Sequence, residues 1–236
     1  MSRQTIHFKS GGVDITAELF SSPLAGKLPL VIMAYGTGGM MPPFGPMYIN
    51  FAEGLVKGGY CCLLPDYLAR TKTPHDLEML EFLPTHRSAW VSALGDAVTS
   101  AKTLGQVDMS RVALCGFSLG GNLMIHVAQT NRVKAIVDFF APIVSQIDSG
   151  GVVTEAMVSH FPPTLIHHGV LDSTVPISNS LVLEKWLTTA GVDNKLISYE
   201  KQGHPSVLDS SSWGLESQNS SLAETTKFLQ TYLGKP

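Results

Sequence analysis

Three cysteines in 236 residues are too few for a disulfide framework. Cys61, Cys62 and Cys115 stand on strand-like stretches, where reduced and buried thiols are expected. No C-x-x-C or H-E-x-x-H spacing occurs, so no metal site is expected, and the chemistry read below needs no cofactor. Long apolar runs are also missing. The oiliest early one, residues 28–35, is far too short to cross a bilayer. The first eight residues hold no apolar leader core, so a soluble, cytoplasmic protein is expected, with no membrane partner. A net charge of −3 without any basic stripe gives no reason to expect nucleic acid. No linker, repeat or low-complexity stretch divides the chain, so residues 1–236 read as one domain, long enough to bury a substantial core.

What is present is an alternation of strand and helix patterns. Residues 6–8 and 13–20 alternate apolar and polar side chains around Ser10-Gly11-Gly12, an antiparallel hairpin signal. Apolar strands are then predicted over 29–35, 60–64, 111–115, 133–138, 164–168 and 195–200. Between and after them, helices are predicted over 48–57, 87–104, 118–130, 176–190 and 222–233. Strands apolar on both faces and separated by helices imply a mostly parallel sheet covered on each side.

Chemistry in such sheets collects beyond the C-terminal ends of the strands. The strand at 111–115 runs into Gly116-Phe117-Ser118-Leu119-Gly120, a G-x-S-x-G pattern followed at once by a helix. That strand-turn-helix context is what a nucleophile elbow requires. A serine hydroxyl is a poor nucleophile at neutral pH and needs a base, which in turn needs an orienting carboxylate. The α/β-hydrolase order is serine, acid, histidine. Asp172 lies just past the strand at 164–168, and of the eight histidines His204 alone follows it. Asp138, at the end of the preceding strand, is the rival acid, set behind Asp172 because it lies within the apolar run Ile136-Val137-Asp138-Phe139-Phe140. Two amides should hold the oxyanion: that of Leu119, and one from Gly36 or Thr37 after the first parallel strand.

Several of these segments together resemble the dienelactone hydrolase family of α/β-hydrolases. They are Pro65-Asp66-Tyr67, Gly116-Phe117-Ser118-Leu119-Gly120-Gly121, His168-Gly169 with Asp172 and Val175-Pro176 beyond it, and Gly203-His204. The resemblance covers nearly the whole chain. It implies an α/β-hydrolase fold with little or no lid, and hydrolysis of a small ester or lactone by Ser118, His204 and Asp172. This chain departs from the founding members, which carry cysteine at the nucleophile and a glutamate after the first parallel strand. Here the corresponding residues are Ser118 and the stretch Ala34-Tyr35-Gly36-Thr37, which points toward a general serine esterase. Pro205 also stands after His204, where the family usually has an aromatic residue.

For the substrate pocket, Met40, Met41, Phe44 and Met47, in a loop over 38–48 beside the catalytic edge, are candidates to line it or else to pack against neighbouring loops. The segment 143–161 is a candidate short cap. Arg70, Lys72, His75 and Arg87 are candidates to bind a substrate carboxylate, or else surface charges. An acyltransferase or thioesterase on the same three residues, and a ligand-binding protein on a hydrolase fold, are the competing functions. The expected partner is a small ester or lactone, with the chain a monomer or homodimer.

Overall fold

The computed structural model of the chain describes residues 1–23, 26–143, 151–205 and 212–234. It opens with the expected hairpin, β1 (Ser2–Ser10) and β2 (Val13–Ser21). Gly11 and Gly12 form its turn with φ of 47° and 84°, a conformation that closes two strands tightly and favours glycine. The alternating units follow: β3 (Leu28–Ala34), α1 (Phe44–Lys57), β4 (Cys61–Pro65), α2 (Met79–Ser100), β5 (Val107–Phe117), α3 (Leu119–Val127) and β6 (Ala135–Phe139). The rest are a short α4 (Glu155–Val158), β7 (Thr164–Gly169), α5 (Ser178–Thr189), β8 (Asn194–Tyr199) and α6 (Leu215–Leu233).

Among the described residues the strands form one sheet in the order β1-β2-β4-β3-β5-β6-β7-β8. β2 joins antiparallel to both β1 and β4, and every later pair is parallel. This is the architecture the sequence implied. Every residue of β3, β4, β6 and β7 is buried, which explains the apolar texture of β3 and β4, while β6 and β7 also bury Asp138, Thr164, His167 and His168. Helices α1 and α6 pack together on one face, and α2 and α3 on the other. No described helix is long and apolar enough to cross a membrane.

Three helices begin well before the sequence reading placed them, and α6 is one, starting at Leu215 rather than 222. α1 begins at Phe44 rather than 48, so the proline-rich stretch is partly its first turn. Pro46 falls at the third helical position, where a backbone N–H has no intrahelical acceptor to lose. α2 begins at Met79 rather than 87 and runs through Pro84. Its start is wound by i→i+3 bonds, Leu80 to Leu77 and Glu81 to Glu78. Of the candidate cap over 143–161, residues 144–150 lie outside the described residues, and the remainder contains α4.

The parallel register aligns the strand ends that matter. Ala34 and Asp138 both pair with Gly116, and Phe139 pairs with His167. Ser118 follows β5 with φ 53° and ψ −120°, a sharply bent backbone rare for a non-glycine residue. The flanking glycines make the bend sterically possible. A Cβ on Gly120 would lie 2.3 Å from the Ala34 carbonyl oxygen and 2.4 Å from that of Tyr35. A Cβ on Gly116 would lie 2.4 Å from the Gly120 oxygen. These are backbone atoms and cannot swing aside. Gly120→Ala should therefore cost about 3 kcal/mol, lowering Tm by roughly 6–12 °C. Thermal unfolding followed by circular dichroism checks this, and an unchanged Tm would contradict the packing described.

Candidate active site

Three loops at the strand ends bring Ser118, Asp172 and His204 together. His204 Nε2 lies 3.0 Å from Ser118 Oγ, and His204 Nδ1 lies 2.6 Å from Asp172 Oδ2. The carboxylate can only accept, so Nδ1 carries a proton and Nε2 is left to accept from the serine hydroxyl. Asp172 Oδ1 accepts the amides of Thr174 at 3.0 Å and Val175 at 2.7 Å. Burial alone would raise the Asp172 pKa. Hydrogen bonds from His168, His204 and the Val175 amide outweigh it and hold the carboxyl down at about 2. The loops are also tied to each other. Leu171 N–H donates to the Gln202 carbonyl, Gly203 N–H to that of Ser212, and Ser212 Oγ to that of His204.

Two supporting residues had no role in the sequence reading. His168 is fully buried, with Nε2 2.8 Å from the Val175 carbonyl and 3.5 Å from Asp172 Oδ2. It braces the carboxylate from behind. The spacing His168-Gly169-x-x-Asp172 was visible, but the use of the ring was not. Phe140 sits at φ 44°, a strained conformation for a bulky residue. Its ring meets the His204 imidazole edge-on at 4.8 Å, with Trp213 behind at 5.3 Å. No local signal distinguishes that phenylalanine from its buried neighbour Phe139.

Asp138, the rival acid, does not reach His204. Its Oδ2 accepts the Ala141 amide at 3.4 Å, and its buried Oδ1 has no hydrogen-bond partner among the described residues. A Cβ on Gly121 would lie 2.4 Å from that oxygen, so the carboxyl is wedged beneath the first turn of α3. Burial pushes its pKa up to about 7. The unfolded chain loses this proton near pH ~3.9, whereas the folded protein keeps it to about 7. The stabilising preference is thus complete below pH ~4 and disappears as pH rises through 7. Asp138→Asn cannot ionise. Its Tm relative to the original protein should rise between pH 4 and pH 8, and a pH-independent difference in thermal melts would contradict this.

The loop after β3 passes directly against the elbow. A Cβ on Gly36 would lie 3.0 Å from Ser118 Cβ and 2.9 Å from the Phe117 carbonyl oxygen. Counting its amides separates the two candidates for the second oxyanion donor, Gly36 and Thr37. Gly36 N–H is committed to the Tyr48 hydroxyl at 3.1 Å, so it is not available to a substrate. Gly38 N–H points to Met79 Sδ, Gly39 N–H to the Gly36 carbonyl, Met40 N–H to His75 Nδ1, and Met41 N–H to the Gly38 carbonyl. Among the described residues, only the Thr37 amide in this run has no acceptor. The Leu119 amide opens α3, where helix geometry leaves the first amides unpaired and the dipole favours an anion.

The pocket residues divide. Met40 and Met41 are half-buried in the loop beside the elbow. Phe44 and Met47 are on α1 instead of a loop, because the helix starts earlier than its prolines suggested. Phe44 is buried against Gly38, whose Cβ would lie 2.9 Å from the Phe44 ring. Met47 faces a cavity of about 350 Å³ between α1 and α6, floored by Phe51, Phe117, Phe139 and Trp213. Ser118, Asp172 and His204 do not line it. The candidate carboxylate binders divide too. Arg70 braces the Gly11 turn, Arg87 is buried in α2, Lys72 is exposed, and His75 is engaged on both ring nitrogens.

Comparison with known proteins shows which fold and family the chain shares. A putative dienelactone hydrolase from Klebsiella pneumoniae superposes with a TM-score of 0.81, covering 98% of this chain and 99% of that one at 18% identity. A thermostable esterase from Pseudomonas putida superposes with a TM-score of 0.76, covering 98% and 83% at 17% identity. At these identities the likeness is one of fold. The quorum-quenching protein AidA of Acinetobacter baumannii is 28% identical over 133 residues, 56% of this chain. That match spans only 41% of the length of AidA. The dienelactone hydrolase family model matches residues 15–233, from the hairpin through the final helix. The chain belongs to the dienelactone hydrolase family.

Proposed function

We propose that this protein is a serine hydrolase that cleaves small carboxylic esters or lactones. The observation that carries the reading is the continuous hydrogen-bonded line Ser118–His204–Asp172, 3.0 and 2.6 Å at its two links. Ser118 Oγ attacks the substrate carbonyl carbon while His204 Nε2 takes its proton. Asp172 holds the imidazole in the required tautomer and stabilises the imidazolium. The negative charge on the former carbonyl oxygen is met by the amides of Leu119 and Thr37. Collapse breaks the bond to the alkoxide, which leaves with the proton from His204. Water, deprotonated by His204, then attacks the acyl-enzyme and releases the acid and free Ser118. Membership of a hydrolase family and the fold shared with an esterase support ester chemistry, and the catalytic residues are read within one domain spanning 1–236.

Product analysis with p-nitrophenyl acetate and butyrate tests the reaction type. Free acid should match p-nitrophenol mole for mole, even when a competing alcohol or thiol is added. Transfer of the acyl group to the added acceptor in place of water would overturn the hydrolase reading in favour of a transferase. Stoichiometric binding without turnover would overturn it in favour of a binding protein.

A further inference from the structure

His75 lies away from the Ser118–His204–Asp172 line, yet it too is held at both ring nitrogens. Its Nε2 is 3.0 Å from Asp66 Oδ1, and its Nδ1 accepts the Met40 amide at 3.2 Å. Asp66 Oδ1 also accepts the Tyr35 hydroxyl at 2.9 Å and the Ala69 amide at 3.3 Å. Asp66 directly follows β4, the neighbour of β3 in the sheet. His75 therefore bridges from the end of one strand to the loop that leaves the next. The loop runs so close to the ring that a Cβ on Gly39 would lie 2.4 Å from His75 Nδ1.

We infer that Asp66 and His75 are a positioning pair for the loop 36–41, fixing the Thr37 amide beside Ser118. The inference rests on the serine-hydrolase reading above. Its chemistry repeats the logic of the catalytic line with a different purpose. The carboxylate accepts Nε2–H, which fixes the tautomer and leaves Nδ1 as the acceptor. Donation to a carboxylate also makes the opposite ring nitrogen a better acceptor, since linked hydrogen bonds strengthen one another. The Met40 amide, three residues beyond Thr37, is then held to the protein body. The Tyr48 hydroxyl holds the Gly36 amide on the other side. Thr37 sits between two fixed points, and its amide is the one left for the substrate.

An oxyanion donor acts on the transition state far more than on the bound substrate, so loosening it should reduce kcat and spare KM. His75→Phe fills the site without an acceptor. We expect its kcat for p-nitrophenyl butyrate to fall about 10- to 100-fold, short of the ~10²–10³ for complete loss of a donor, with KM within about threefold. His75→Asn returns an acceptor oxygen near the Nδ1 position and should recover kcat to within about fivefold of the original. Thermal melts of both variants accompany the kinetics. The inference is overturned if His75→Phe keeps full kcat, if its loss lies wholly in KM, or if a fully folded His75→Asn is as impaired as His75→Phe. Should the Phe variant not fold, the Asn variant decides alone by the same fivefold criterion. Ser118→Ala in the same assay separates the two claims. If that variant is inactive and His75→Phe is not impaired, only the positioning role falls. If Ser118→Ala is fully active, the serine-hydrolase reading falls.

Discussion

Ser118→Ala should lower kcat for p-nitrophenyl esters by roughly 10⁵- to 10⁶-fold, the scale at which loss of the nucleophile removes the whole catalytic line at once. Alanine keeps the Cβ and accommodates the elbow conformation, φ 53°, about as well as serine. The Ser118 amide still reaches the Phe139 carbonyl at 2.8 Å, so the elbow stays anchored. Tm should therefore move by no more than about 2 °C. Leu119 and Thr37 keep their amides, and the residual rate measures what binding and the oxyanion site contribute alone. Steady-state kinetics beside a thermal melt separate chemistry from folding. A folded variant with ordinary turnover would contradict the mechanism.

Asp172→Asn should lower kcat by about 10⁴-fold with little change in KM. The reason lies in how the carboxylate is held. Oδ1 accepts two backbone amides, from Thr174 and Val175. In the asparagine variant those donors select the carbonyl oxygen, which turns the NH₂ group toward His204. A donor facing His204 Nδ1 forces the proton onto Nε2, and Nε2–H cannot take a proton from Ser118. The NH₂ would also face His168 Nε2, itself committed to the Val175 carbonyl. The variant thus keeps its shape and loses the correct tautomer. A kcat within tenfold of the original would contradict the role given to Asp172.

Ser118, Asp172 and His204 stand out in the sequence by chain order because each follows a strand in an unusually plain α/β alternation. The hairpin and the parallel strands were legible for the same reason: their patterns are local. What stayed hidden depends on contacts distant in sequence. The Gly36 amide is lost to Tyr48, and the Met40 amide to a histidine 35 residues away. Neither link leaves a trace in spacing. Phe44 and Met47 look like loop residues because prolines in a helix's first turn resemble loop punctuation in sequence alone. Phe140 shows a further limit. Its positive φ is imposed by its place after β6, where its own amide is tied to the His167 carbonyl, and nothing in the side chain announces it.

The central claim is that one hydroxyl, at the tip of the β5–α3 elbow, attacks the substrate. Intact-protein mass spectrometry after incubation with a fluorophosphonate, followed by peptide mapping, tests it directly. The account predicts a single phosphonyl adduct on Ser118, formed with loss of fluoride, complete loss of ester turnover on labelling, and no adduct in Ser118→Ala. Labelling at another residue, or undiminished turnover after Ser118 is fully labelled, would contradict it.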